Sequence, residues 1–493
     1  MNSKSILLSF LTTCLISSMA FSQSVLVPKW SLIESSAITN GNAEAWAIGS
    51  DKSGNLIWGV NKDAPGFFEY MNAFVYKLDK DKNLIWMDTS ITGQFAQQSY
   101  NLKVTDSLIY VGGRTCRALG IDSCDVLFFN TDLATGKTGW DFVWDGGYGY
   151  EEIDGIALDD DGIYITGWTT GNGSEYDVLL MKINYSGNLI WKKTMGSNPN
   201  RGDHQDGHIV VDDSIIYISG LYDGSPGLGW QGRALLAKYD KNNGDLVDSF
   251  TYGRQDAWVN AENALGMTSD GTHLYVTGYT TVEMNNWDIF VAKFDKNLNQ
   301  VWYTTWGGAS TESARGIAVA PDGSIYVGGN TESYGQGGLD LALLKFNPSG
   351  ILEWYKTWGE KEDDQSLDIY MNEDGLYLTG KTQSFHPNKK WDALLLKVEH
   401  DSLVSIDDVS INNLNLIISP NPMNSFATLN FSNPLNAPHK LVIYNNLGQV
   451  VKTIRAITSE EVILEKKDLS KGVFYFQLSN EIGEYAKGKL IIN

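Results

Sequence analysis

The densest run of side chains able to do chemistry is Asn200-Arg201-Gly202-Asp203-His204-Gln205-Asp206-Gly207-His208. Imidazoles and carboxylates so close together can hold a transition metal or act as an acid and base pair. Two His four apart at a strand entry also serve as ordinary hydrogen-bonding loop residues. Asp203, His204, Asp206 and His208 therefore form a candidate ligand cluster, expected to face a central channel if the run leads into an innermost strand. Cys116 and Cys124 are the second feature. In an oxidising compartment they are expected to form a disulfide, and closing so short a loop contributes about 2.5 kcal/mol on an entropic model. A metal site is the weaker alternative, because no His lies nearby to complete a shell. Asp159-Asp160-Asp161-Gly162 looks like a calcium loop, which needs several oxygen ligands, but it falls where other units carry a plain hairpin turn. No Gly-x-Ser-x-Gly elbow, phosphate loop or His-Glu-x-x-His occurs. No catalytic, cofactor-binding or metal-binding residue and no cofactor is expected.

The elements that position these residues come from a repeat of about 53 residues. Its marker is an acidic residue, four apolar-rich positions and a Lys: Asp177 to Lys182, Asp288 to Lys293, Asp340 to Lys345 and Asp392 to Lys397. Weaker copies run from Asn72 to Lys77 and Arg233 to Lys238, and Asp125 begins a seventh, with Asn130 in the Lys place. Each unit holds two hairpins. The first turns near Ser53-Gly54, Asp106-Ser107, Asp161-Gly162, Asp213-Ser214, Asp270-Gly271, Asp322-Gly323 and Asp374-Gly375, the chemistry of tight turns. The second, as in Leu341 to Trp354, opens with a strand that is apolar on both faces and hence buried on both. Trp86, Trp140, Trp191, Trp302 and Trp354 recur on the last strand, with Trp144, Trp306 and Trp358 four residues on, suited to filling wedges between sheets.

Four such strands make a blade of a β-propeller. The seventh unit lacks its Trp strand, and Lys29-Trp30-Ser31-Leu32-Ile33-Glu34 matches it. The expected fold is all-β: a seven-bladed β-propeller over residues 23–404 closed by an N-terminal strand, a linker over 405–412, and a small C-terminal Ig-like β-sandwich over 413–493.

Residues 1–22 read as a signal peptide, with Lys4, the apolar run Ile6 to Ile16 and Ala20-Phe21-Ser22 before a cleavage between Ser22 and Gln23. Cys14 lies inside the apolar run rather than after it, unlike a lipoprotein box. No later segment has the apolar length of a spanning helix, so no transmembrane segment is expected in the mature chain. A formal charge of −22 repels nucleic acid and anionic lipid, and no nucleic acid partner is expected.

The units, and especially Trp306-Gly307-Gly308-Ala309-Ser310-Thr311-Glu312-Ser313-Ala314-Arg315-Gly316-Ile317-Ala318-Val319, resemble the SBBP-type β-propeller repeat of bacterial secreted proteins. That resemblance implies a fold and an extracellular setting, and no shared catalytic residues. The spacing of Asp132, Gly136 and Trp140 is similar to quinoprotein repeats, but the Lys signature argues against a quinone. The Asp box of sialidases is absent. Leu416 to Pro422, Leu441 to Val451, Leu469 to Leu478 and Lys487 to Asn493 resemble, in that order, the type A sorting domain of the type IX secretion system of Bacteroidota. This implies that the secretion machinery handles the chain through residues 413–493, leaving the protein secreted, extracellular or attached to the outer-membrane surface. An ordinary Ig-like binding module is the alternative.

The expectation for function is a secreted or cell-surface binding or adhesion scaffold that recognises a glycan or protein ligand at loops and channel mouth. A polysaccharide hydrolase or lyase and a structural surface-layer protein are the alternatives. Exposed aromatics on several loops, such as Trp168, Trp230, Trp258 and Trp287, would mark a lectin; charges converging at the channel mouth would mark an enzyme.

Overall fold

In the computed structural model the chain forms two compact units, Met1–Glu399 and His400–Asn493. The described residues are 24–26, 28–36, 41–63, 71–88, 96–116, 124–147, 149–170, 177–195, 208–222, 232–252, 262–283, 286–398, 417–431, 433, 438–445, 450–480 and 485–492. The expected signal peptide, its cleavage point at Ser22 and Gln23, and the linker over 405–412 lie outside them.

The first unit is built of antiparallel sheets in chain order. Sheet one comprises Ala43–Ser50, Leu56–Asp63, Met71–Leu78 and Leu84–Asp88; sheet two, Ala96–Val104, Leu108–Cys116, Cys124–Asp132 and Thr138–Trp144. Sheet three comprises Glu151–Asp159, Gly162–Thr169, Asp177–Ile183 and Leu189–Met195; sheet four, Ile209–Val211, Ile215–Tyr222, Arg233–Asp240 and Leu246–Tyr252. Sheet five comprises Glu262–Ser269, His273–Glu283, Asn286–Asp295 and Gln300–Trp306; sheet six, Glu312–Val319, Ile325–Thr331, Asp340–Phe346 and Leu352–Trp358. Sheet seven has Asp364–Asn372, Gly375–Thr382 and Asp392–Val398, and its fourth strand is the N-terminal Trp30–Glu34, in register from Trp30 opposite Lys397 to Glu34 opposite Ala393. Ser24–Val25 adds a fifth, parallel strand to the outer edge of sheet six.

The first strand of each sheet packs on the first strand of the next, and that of sheet seven on that of sheet one. These strands therefore surround a common axis, while the fourth strands expose side chains such as Leu84, Ile190, Val247 and Val301. The seam between sheets seven and one is packed and hydrogen-bonded. The buried Trp58 indole N–H donates to Thr379 Oγ1 at 2.7 Å, and Lys381 Nζ meets Glu44 at 3.1 Å. The unit is a β-propeller, and no helix among the described residues is long and apolar enough to cross a membrane.

The repeat marker has a physical basis. In five units its Lys lies opposite a Tyr on the neighbouring strand, and the ammonium sits over that ring in Lys182 with Tyr164 (5.1 Å), Lys293 with Tyr275 (5.0 Å) and Lys397 with Tyr377 (5.2 Å). The recurring Trp reaches the next sheet: the Trp86 and Trp302 indoles donate to Leu133 O and Pro348 O. Room for the ring comes from a turn glycine. Gly136 and Gly350 hold φ of +74° and +79°, and a Cβ on either would stand 2.7 Å from the indole.

The second unit pairs a three-stranded sheet, Ile417–Ser419, Phe426–Asn430 and Glu461–Glu465, with a four-stranded one, Val450–Ile457, His439–Tyr444, Gly472–Asn480 and Tyr485–Ile492. Leu429, Leu464, Leu441, Phe476 and Leu490 come from both sheets and share one buried core, the arrangement of a β-sandwich.

Candidate functional site: the channel and its loop-side mouth

Antiparallel strands place the links from strand two to strand three, and from one sheet to the next, on one side of the ring. Tight turns closed by Asp or Asn side chains occupy the opposite side, as at Asp51, Asp79, Asn184, Asp295 and Asn347. The longer connections all emerge on the first side. The Cys116–Cys124 disulfide closes one of them, its sulfurs 2.01 Å apart.

Each innermost strand starts on that loop side and, in six of the sheets, carries a bulge near its start, after Ala45, Ser99, Ile153, Asn263, Ala314 and Ser366. A bulge re-aims the extra side chain. Trp46, Tyr100, Asp154 and Arg315 occupy these positions, and one of their contacts crosses between sheets that are not neighbours. The Arg315 guanidinium lies 5.4 Å over the Trp46 ring, although sheet seven separates their strands. Trp46 meets Tyr100 edge-on at 5.2 Å, and its Nε1–H is buried without a hydrogen-bond partner.

Beside this pair, Arg114 organises a polar knot. It donates to Glu152 at 2.8 Å and to Gln98, and stacks over Tyr150 at 4.8 Å and Tyr100 at 5.4 Å. Trp168 donates to Glu152 at 2.9 Å and lies parallel to Tyr150 with centroids 4.8 Å apart. Burial, with Glu152 adding repulsion, holds the Tyr100 phenol well above its usual range.

Farther along the axis, Lys103, His208 and Asp368 converge from sheets two, four and seven. Burial pulls the Lys103 ammonium down, and Asp368 opposes that shift. Burial, reinforced by Lys103 and Arg315, lowers the His208 imidazole to about 4; burial raises the Asp368 carboxyl to about 7. Lys103 is nonetheless reached by solvent. Wet yet surrounded by protein, these groups line a water-accessible channel.

Of the sequence-derived ligand cluster, Asp203, His204 and Asp206 fall outside the described residues. His208 stands at the entry of its innermost strand, its N–H donating to Ser219 Oγ at 3.1 Å. The aromatics considered as lectin marks divide. Trp168 is buried, 8 % exposed, because Tyr150 and Glu152 occupy its face and edge; Trp287 is 36 % exposed and stacked on Tyr279 at 4.7 Å. Trp230 and Trp258 lie outside the described residues. Sequence reasoning missed Trp46, Tyr100, Lys103, Arg114, Arg315 and Asp368. The available signal was the unlike residue at an otherwise repeating position, Trp46, Tyr100, Asp154 or Arg315, beside a small or polar residue.

Two protein families match parts of the chain: a secretion system C-terminal sorting domain over residues 418–493, and a β-propeller domain of unknown function, DUF5122, over residues 320–352. No curated protein matches the chain. Among solved structures, a candidate 6-phosphogluconolactonase from Bacteroides uniformis is 12 % identical with a TM-score of 0.42, covering 73 % of this chain and 98 % of that one. The phage phi92 endosialidase is 11 % identical with a TM-score of 0.43, covering 79 % and 72 %. The C-terminal unit is a type IX sorting domain, and the protein is exported to the extracellular space or the cell surface.

Proposed function

We propose that the first unit is a seven-bladed ring that binds a glycan or a protein ligand at the loop-side mouth of its channel, displayed or released outside the cell by the sorting domain. The observation that carries this reading is the Trp46 site. An indole N–H without a partner, an aromatic edge from Tyr100 and the Arg315 cation converge from three sheets where the channel opens toward the long loops. Sugar hydroxyls and ring faces match that mixture of donor, cation and aromatic surface. Glu152 accepts from both Trp168 and Arg114, so it orients the knot instead of standing ready as a free acid or base.

A second reading, polysaccharide cleavage, draws on Asp368, whose carboxyl titrates near neutrality beside Lys103 in the channel. Electrophoresis of the full mature chain in native gels cast with a polysaccharide panel separates the two. Retardation by one polymer left at full length, and lost in Trp46→Phe and Arg315→Ala, supports binding. Shortening of the polymer that disappears in Asp368→Asn supports cleavage. Absence of retardation by every polymer directs attention to a protein partner or a structural surface role.

A further inference from the structure

Carboxylates face one another at three junctions between neighbouring sheets. Asp340 opens the third strand of sheet six, and Asp364 opens the first strand of sheet seven; they are 1 % and 0 % exposed. Asp340 Oδ2 accepts from the N–H groups of Gln336 (2.8 Å) and Gly337 (3.3 Å), whereas its buried Oδ1 has no hydrogen-bond partner. That oxygen points toward Asp364. A Cβ on the intervening Gly359 would lie 1.9 Å from Asp340 Oδ1 and 2.7 Å from Asp364 Oδ2. Asp364 accepts from Thr382, Ser384 and the Glu360 N–H. Around Asp340 the influences are burial, the two N–H groups and the carboxylates Asp364 and Asp363, none of them cationic.

The same geometry recurs one junction earlier. Asp288 Oδ1, also without a partner, and Glu312 Oε2 would lie 2.0 and 2.7 Å from a Cβ on Gly307. Between sheets two and three the equivalent pair is Asp125 and Glu151, and Asp145 stands where the other junctions have Gly307 and Gly359. The correspondence holds in the hydrogen bonds, since the N–H one residue on donates to the partner acid each time: Gly146 to Glu151, Gly308 to Glu312 and Glu360 to Asp364. Here one oxygen from each of three carboxylates lies within 4.8 Å of the others.

Carboxylates facing one another at such short range repel unless a proton or a cation stands between them. We propose that these junctions bind hard divalent cations of the calcium class. Asp340 with Asp364, Asp288 with Glu312, and Asp125 with Asp145 and Glu151 supply all-oxygen ligands that bridge adjacent sheets. A third carboxylate in the glycine place is chemistry for a cation, because a shared proton needs only two acids. Each junction follows a tryptophan, Trp144, Trp306 or Trp358, which provides a spectroscopic antenna.

The test uses the full mature chain, stripped with chelator and dialysed at pH 7.5. Terbium(III) is added with excitation of tryptophan, and melting is followed in calcium and in chelator. Sensitised terbium emission displaced by calcium is expected, with a calcium-dependent rise in Tm of about 4 °C at saturating ion. Asp340→Asn should diminish the rise. Asp145→Gly, a change at an exposed position that restores the residue of the other junctions, should remove part of the emission even if Asp340→Asn folds poorly. Wild-type protein with no sensitised emission and a Tm indifferent to calcium overturns the proposal. A Tm that rises on acidification alone, with calcium inert, overturns it in favour of shared protons.

Discussion

Substitution of Trp58 by Phe tests how the ring is held shut. The indole is fully buried on sheet one, and its N–H donates to Thr379 Oγ1 of sheet seven, which itself donates to Leu394 O at 3.0 Å. Removing the N–H forfeits a net hydrogen bond of about 1 kcal/mol. The smaller ring also leaves unfilled volume between the sheets and weakens the contact with Tyr76, centred 5.6 Å away, for about 1–2 kcal/mol more. A total loss of about 2–3 kcal/mol is expected, read as a lower urea midpoint at unchanged slope. Thr379→Val isolates the bond. In the double-mutant cycle, Trp58→Phe and Thr379→Val should couple by about 1 kcal/mol, because either change alone breaks the same interaction. A coupling energy indistinguishable from zero would refute the reasoning and assign the seam to apolar packing alone.

Gly350→Ala should destabilise the ring by about 2–3 kcal/mol in the same assay, since it sets a Cβ against the Trp302 indole at a left-handed φ. The channel groups predict opposing pH dependences. The His208 pKa is depressed from 6.5 to about 4, so its contribution to stability is complete above pH 6.5 and is lost as pH falls toward 4. Asp368 is raised from 3.8 to about 7, so its contribution is complete below pH 3.8 and is lost as pH rises through about 7. Urea midpoints against pH should accordingly lose their acid-side fall in His208→Gln and their neutral-side fall in Asp368→Asn.

The architecture was legible because its cues are local and repeated. A tight polar turn and a strand apolar on both faces recur from unit to unit, and a Lys opposite a Tyr marks five of them. Trp30 to Glu34 could be matched to the strand missing from the seventh unit, and that pairing is the one observed. The channel was much less legible. Trp46 and Arg315 are about 270 residues apart in the chain, and each is aimed by a single bulge. No periodicity announces a bulge, and its occupant is informative through being unlike its counterparts. The acid pairs escaped notice for the opposite reason. Asp340 and Asp364 look like strand-opening punctuation, and only the folded register brings Asp340 Oδ1 against its neighbour with no donor to satisfy it.

The double engagement of the N-terminus has a mechanical consequence. Trp30 is paired with Lys397 at the same end of the closing ladder, so tension applied between the two ends of the ring would unzip that ladder one pair at a time, the weakest loading geometry for a strand pair. Ser24 and Val25 lie upstream of that end and are paired in parallel with Lys356 and Thr357 of sheet six, with Leu26 buried behind them. Load from the N-terminal side meets this clip first, and the zipper is reached only after the clip has let go.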